Sequence, residues 1–162
     1  MGDVVATLLG LAQDGGFPQP GCYLECCDGA RLLSEDRLSP VALGIAGIDG
    51  STHLFEATRD LGRQFQIWSN SDESKVPLAS LCLTHAHLGH VDGLGQFGRE
   101  VMDVKGLSLY CSQSLSELIE QTPAWKMLVE EDVIKPIVWT PNVPFAPSPN
   151  CGFTITAIPV PH

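Results

Sequence analysis

The sequence predicts a mixed α/β sandwich layer, an α+β arrangement, on three observations. Short apolar runs bounded by Gly, Pro or Asp-Gly read as strands, and apolar positions at helical spacing fall between several of them. One pair of strands is joined by a hairpin while others are separated by helices, which fits a mixed sheet rather than a doubly wound parallel one. The chain has 162 residues, enough for one domain or one large piece of a bigger domain. Hydrophobic residues make up 44% and charged residues 17%, so a sizeable core can be buried and a disordered chain is excluded.

In chain order, Val4 to Leu11 is a short apolar run that reads as a buried strand. Ala12 to Cys27 contains Gly15, Gly16, Pro18, Pro20 and Gly21, and these breakers predict a long loop. Val41 to Ile48 and Thr52 to Glu56 flank Asp49-Gly50, a hairpin signal in which both central residues take positive φ. Leu61, Phe65 and Trp68 predict a helix after Arg59, and Lys75 to Thr84 a further buried strand. Gly93 to Met102 is expected to be helical, Leu107 to Cys111 a strand, and Ser114 to Ile119 and Pro123 to Glu131 helices, the second with Pro in its first turn. Ile134 to Thr140 reads as a strand, proline-rich Pro141 to Asn150 as a loop, and Phe153 to Ile158 as a last strand.

Nineteen acidic residues against nine basic ones give a net charge of −10. That balance, with no Lys/Arg cluster interleaved with aromatics, argues against nucleic acid as a partner. No apolar run approaches the ~20 residues of a membrane span, and the start lacks the basic region of a signal peptide. A cytoplasmic protein without membrane contact is expected. Its six cysteines are then thiols or metal ligands rather than a disulfide framework.

Three of the five histidines fall in THAHLGHVDGL, Thr84 to Leu94. His85 and His87, two apart in an extended segment leaving a strand, point to the same side and can share one metal ion. His90 follows Gly89 in a turn and can bring a third imidazole to the same cavity. Such nitrogen donors suit Zn²⁺ and, less selectively, Mn²⁺ or Fe²⁺. The bland alternative is a set of surface histidines on a loop; the density of the cluster favours metal. His162 ends TITAIPVPH, where prolines on both sides of Val160 hold the chain extended, although a terminal histidine on its own reads as disordered. His53, beside the hairpin turn, reads as a partly exposed strand histidine.

These features resemble the metallo-β-lactamase-fold metallohydrolases, whose signature is His-x-His-x-Asp-His at the end of a strand. Within them the chain is most similar to the branch of pyrroloquinoline quinone biosynthesis protein B and the related phosphodiesterases of phosphonate metabolism. LLGLAQDGGFPQPGC (Leu8 to Cys22) resembles that branch's opening strand and loop, HLFEATRDLGRQF (His53 to Phe65) its strand-then-helix segment, THAHLGHVDGLGQFGRE (Thr84 to Glu100) its metal motif, and IPVPH (Ile158 to His162) the segment with its next ligand. The resemblance implies a metallo-β-lactamase-like αββα fold. It makes His85, His87 and His162 ligands of a first metal and His90 a ligand of a second, one or two ions in all.

Two departures stand out. Gly89 occupies the place where the superfamily usually has the aspartate that binds the second metal, and Asp92 reads more simply as the N-cap of the next helix. The superfamily's bridging aspartate and final histidine come from the second half of the fold, and residues 1–162 end before either. The chain is therefore expected to be the N-terminal half of such a domain, with a homodimer or association with the missing half covering the open sheet face.

The branch often has Cys-x-Cys-x-x-Cys in the first loop as a structural zinc site. Here Cys22 and Cys27 keep the outer spacing, Leu24 replaces the middle cysteine and Cys26 is extra, so free thiols are favoured over structural zinc. Cys82, Cys111 and Cys151 read as core residues. In the resembling proteins the Glu56 to Asp60 stretch lies beneath the metal cavity, so either acid could orient a ligand imidazole, although Asp60 serves equally as a helix N-terminal acid. Asp14 is a weaker candidate.

A metal ion holding water lowers its pKa toward ~7, so hydrolysis of an ester, amide or phosphodiester in a small-molecule substrate is the expected chemistry. His90 would be a ligand or, with the second site weakened by Gly89, a catalytic proton shuttle. The competing classes are a metal-binding protein without hydrolytic activity, an oxygenase-like member of the fold, and a domain that works through a protein interface.

Overall fold

A computed structural model describes residues 2–32, 36–71 and 78–161. Strands β1 (Val5–Gly10), β2 (Ala42–Ala46) and β3 (Thr52–Phe55) pair antiparallel. Strands β4 (Leu78–Cys82), β5 (Leu107–Cys111) and β6 (Ile134–Val138) then extend the sheet in parallel from β3. The six lie in chain order, so the expected mixed sheet is the one observed. The α-helices are α1 (Glu25–Leu32), α2 (Leu61–Ser71), the single turn α3 (Leu88–Val91), α4 (Gln113–Gln121) and α5 (Pro123–Glu130).

Residues paired across a sheet share a face, and the register separates two rows. Gly44, Leu54, Leu81 and Leu109 align and belong to the helix-covered face. The three leucines are fully buried in one cluster with Leu61 and Trp68 of α2, Leu115 and Ile119 of α4, and Leu128 of α5. Trp68 lies so close over β2 that a Cβ at Gly44 would stand 2.6 Å from its ring. Ser112 caps α4 by accepting the Leu115 N–H, and Pro123 opens α5 where its missing N–H costs nothing.

The opposite face carries the row Leu8, Leu43, Phe55, Cys82, Tyr110 and Ile137. The segment after β6 crosses part of it: Phe145 stacks on Tyr110 at 4.7 Å and Phe153 meets His53 edge-on at 5.2 Å. At the row's outer end Leu8 is 62% exposed.

Several expectations are corrected. The first strand is an edge strand whose Val5, Ala6 and Leu8 are exposed, with only Leu9 and Gly10 buried. The loop ends earlier than Cys27, because α1 starts at Glu25. The hairpin has three loop residues: the Gly50 N–H donates to Gly47 O, the Gly47 N–H donates to Ser51 O, and of the Asp49-Gly50 pair only Gly50 has positive φ, 80°. Instead of a helix over Gly93 to Met102 there is a 3₁₀ turn, Leu94–Phe97, as the three glycines at 93, 95 and 98 would favour. Phe153 to Ile158 forms only an isolated bridge, Phe145 with Ile155. Residues 75–77 of the fourth predicted strand lie outside the described residues.

His53 is also corrected: it is fully buried, because β3 is an inner strand. Ser51 Oγ at 2.9 Å and Ser80 Oγ at 2.8 Å satisfy its two ring nitrogens. Cys82, Cys111 and Cys151 are buried as expected.

Since β1 and β3 run the same way and β4 to β6 follow β3, the carboxyl ends of five strands meet one edge. Asp14 follows β1 there, Glu56 β3, Thr84 and His85 β4, Ser112 β5 and Trp139 β6. The carboxyl edge of an open sheet is the usual place for a ligand site.

Candidate metal centre

The chain leaves β4 at Thr84 and stays extended to His87, whose φ of −60° and ψ of 136° place it at the N-cap of α3. One turn later His90 comes back over His87, its N–H bonded to His87 O at 2.9 Å. The turn is fastened to the segment after β3 by backbone bonds from the Ala57 N–H to His90 O and from the Gly93 N–H to Ala57 O, both 2.8 Å. Only glycine fits at position 93, where a Cβ would stand 2.0 Å from Thr58 O. These bonds bring Glu56 under the histidines.

The rings of His85 and His87 lie 4.6 Å apart, and those of His85 and His90 4.1 Å apart. Ligand atoms of Glu56, His85 and His90 all lie within 4.8 Å of one another. Of the three clustered histidines, His85 and His90 bring ligand atoms together with Glu56, while His87 sets its ring beside that of His85. His162 lies outside the described residues; Ile158, Pro159 and Val160 before it line, with His85, Ser112 and Trp139, one wall and floor of a cleft of about 840 Å³.

Glu56 is 5% exposed and has a φ of 70°, a left-handed conformation that costs backbone energy in a non-glycine residue. Thr84 Oγ1 donates to Glu56 Oε1 at 2.5 Å and lies 2.9 Å from His85 Nδ1. With the threonine proton committed to the carboxylate, Nδ1–H of His85 is the donor to the hydroxyl, and Nε2 carries the lone pair. This is the tautomer in which a metal ligand's other nitrogen is fixed by a neighbour.

His90, 8% exposed, has an acid near each nitrogen: Glu56 Oε2 is 3.5 Å from Nδ1 and Asp14 Oδ1 is 3.2 Å from Nε2. Nδ1 is buried without a hydrogen bond among the described residues. The Glu56 carboxylate, with Asp14 adding to it, holds the imidazole above its ordinary pKa of 6.5 against the opposing effect of burial. Asp14 Oδ2 also lies 3.6 Å from His87 Nδ1. Imidazoles interleaved with carboxylates form an N/O donor set suited to Zn²⁺ and related divalent ions, so these residues fit a metal.

Asp60 does not join the site; its carbonyl accepts the Gln64 N–H in the first turn of α2. Asp92 is not an N-cap but follows α3 and pairs with Arg59 at 2.8 Å. Where the first loop runs into α1, Cys26 Sγ lies 3.9 Å from Cys22 Sγ and 4.0 Å from Cys27 Sγ. None of the three is in a disulfide, and their sulfurs are close enough together to share an ion.

No family model and no curated protein matches the chain. Solved structures do. Zn²⁺-bound PqqB from Methylobacterium extorquens aligns with a TM-score of 0.79 at 20% identity, over 96% of this chain and 56% of that one. A diphosphatase of the PhnP family aligns with a TM-score of 0.66 at 18% identity, over 89% and 53%. The metallo-β-lactamase fold protein YhfI from Bacillus subtilis aligns with a TM-score of 0.55 at 18% identity, over 88% and 48%. The chain has the metallo-β-lactamase fold. It spans about half the length of the structures it matches, and within the metallo-β-lactamase fold its histidine cluster stands at the carboxyl edge of the sheet described above. No described helix is long and apolar enough to cross a membrane.

Proposed function

We propose that this chain is the metal-binding N-terminal half, residues 1–162, of a metal-dependent hydrolase that cleaves an ester or phosphodiester in a small-molecule substrate. The observation that carries the reading is the convergence of His85 and His90 with Glu56, with the His87 ring beside that of His85 and the Thr84 hydroxyl linking Glu56 to His85. His85, His87 and His162 would hold the first ion, Zn²⁺ by preference with Mn²⁺ or Fe²⁺ as alternatives, and His90 a second. A bound ion would supply a Lewis acid and a water acidified toward neutral pH. Thr84 and Glu56 orient His85, and the two acids beside His90 favour its protonated ring, which suits proton transfer when no second ion is bound. The printed descriptions of two similar structures, a Zn²⁺-bound PqqB and a diphosphatase of the PhnP family, support this reading; a cytoplasmic location is proposed with it.

A complementary half, or a second copy of the chain, would cover the part of the apolar row that the segment after β6 leaves open, at Leu8 above all. The first test is metal analysis of purified protein: about one Zn²⁺ per chain is expected, lost in His85→Ala. Absence of any bound metal would sink the reading. With the complementary half present, turnover of a generic phosphodiester that disappears in His85→Ala selects a hydrolase. A second reading, a metal-binding protein or oxygenase-like member without hydrolysis, is favoured by Gly89, which removes a carboxylate from the motif; metal binding with no turnover would select it.

A further inference from the structure

We propose that Asp14 is the carboxylate ligand on the His90 side of the metal centre, filling through space the place that a side chain at position 89 cannot. The inference rests on the metal-site reading above and extends it to a residue from the loop after β1. An ideal Cβ on Gly89 would stand 2.4 Å from Asp14 Cβ, 2.5 Å from its Cα and 2.8 Å from its Cγ. Turning the Asp14 side chain moves neither its Cα nor its Cβ, so a side chain at 89 and Asp14 in this position exclude each other. The glycine in the motif and the aspartate in the loop are one structural feature.

The Asp14 oxygens divide between two rings, Oδ1 3.2 Å from His90 Nε2 and Oδ2 3.6 Å from His87 Nδ1. Two ligands bound tetrahedrally to one Zn²⁺ at roughly 2.0–2.1 Å stand about 3.3 Å apart. The Asp14–His90 spacing therefore suits co-ligands as well as the ion pair of the metal-free protein. His90 is more than nine-tenths buried and has Glu56 on its other nitrogen, so Nε2 is the atom it offers toward Asp14. Glu56 faces Nδ1 of the ring, so Asp14 adds a second carboxylate on the opposite, Nε2 side of His90.

The loop is built to hold Asp14 there. The Ala12 N–H bonds to Ser39 O at 3.0 Å, the Val41 N–H to Ala12 O at 2.9 Å, and the Gly16 N–H to Gln13 O at 2.8 Å, closing a turn around Asp14. Gly16 sits at φ 74°, which glycine adopts without strain.

The test is a Zn²⁺ titration with a competing chelator, with metal counted by mass spectrometry, on the wild type, Asp14→Asn, His90→Gln and Gly89→Ala. The ion lost in His90→Gln is expected to bind about tenfold or more weakly in Asp14→Asn. Gly89→Ala, which pushes Asp14 away, should give a similar loss, and the double variant should be no worse than either single one, since both act on one interaction. Asp14 is a half-buried loop residue outside the core, so circular dichroism should show Asp14→Asn folded even if Gly89→Ala is not. Unchanged metal number and affinity in Asp14→Asn, alongside an ion lost in His90→Gln, would overturn this inference and leave the hydrolase reading standing. Loss of no ion in His90→Gln would overturn it too, whereas a wild type that binds no metal overturns both.

Discussion

Thr84 Oγ1 stands 2.9 Å from His85 Nδ1 while giving its own proton to Glu56, so one hydroxyl fixes which imidazole nitrogen carries the lone pair. Thr84→Val keeps the shape and removes the relay. It should lower Zn²⁺ affinity about 10- to 100-fold, the usual cost of losing a partner behind a metal-binding histidine, whereas Thr84→Ser should stay close to wild type. Chelator competition measures both, and equal affinities for Val and Ser would contradict the relay.

Glu56 acts on His90 as well. In the metal-free protein its carboxylate is the main reason the His90 pKa is raised, so Glu56→Gln should bring that pKa down, read by NMR titration of the ring. The sign for stability follows from linkage. A raised folded pKa adds stability that is fully present below the ring's ordinary 6.5 and is lost as pH rises through the folded value. Metal-free wild type should therefore lose stability above about pH 6.5 relative to Glu56→Gln; urea midpoints that move in parallel with pH would contradict the pairing.

His53 gives the opposite slope. Burial lowers its pKa, with Asp49 partly opposing, so the folded state prefers the neutral ring. Its contribution is full above the unfolded value of about 6.5 and is lost as pH falls through 6.5 toward the lower folded value. On acidification from pH 7.5 to pH 5, wild type should lose more stability than His53→Gln, whose amide cannot titrate. A wild type no more acid-sensitive than the variant would mean that burial does not lower the ring's pKa.

What the sequence made legible divides by distance along the chain. The hairpin, α2, α4 and α5 follow from local spacing and turn residues, and the packing of the His87 and His90 rings against His85 follows from positions close together along the chain. Glu56 reaches Thr84 across 28 residues and Asp14 reaches His90 across 76. No periodicity encodes such contacts; they depend on strand order, which brings the ends of β1, β3 and β4 to one edge. Glu56 was legible only through the resemblance, as one of two acids in a stretch, and burial then selects it over Asp60. His53 was misjudged because proximity to a turn says nothing about whether the strand lies inside the sheet. Gly89 read alone as a lost carboxylate, because the residue that occupies its space lies in a different loop.

Two glycines separate the stability of the fold from the geometry of the site. At Gly44 a Cβ meets the Trp68 ring at 2.6 Å, on the helix-covered face and away from the sheet's carboxyl edge. Gly44→Ala should cost about 1–3 kcal/mol by overpacking and leave Zn²⁺ affinity unchanged. At Gly93 a Cβ meets the Thr58 carbonyl oxygen at 2.0 Å, and no side chain can move aside because the obstacle is backbone. Gly93→Ala must push apart the two segments joined by the Gly93 N–H to Ala57 O and Ala57 N–H to His90 O bonds, and these set the distance from Glu56 to His90. It should therefore lower stability and metal affinity together. Thermal unfolding and Zn²⁺ titration of the two variants read the difference directly: a Gly93→Ala protein that is destabilised but binds Zn²⁺ like wild type would show that the clamp supports the fold and not the site.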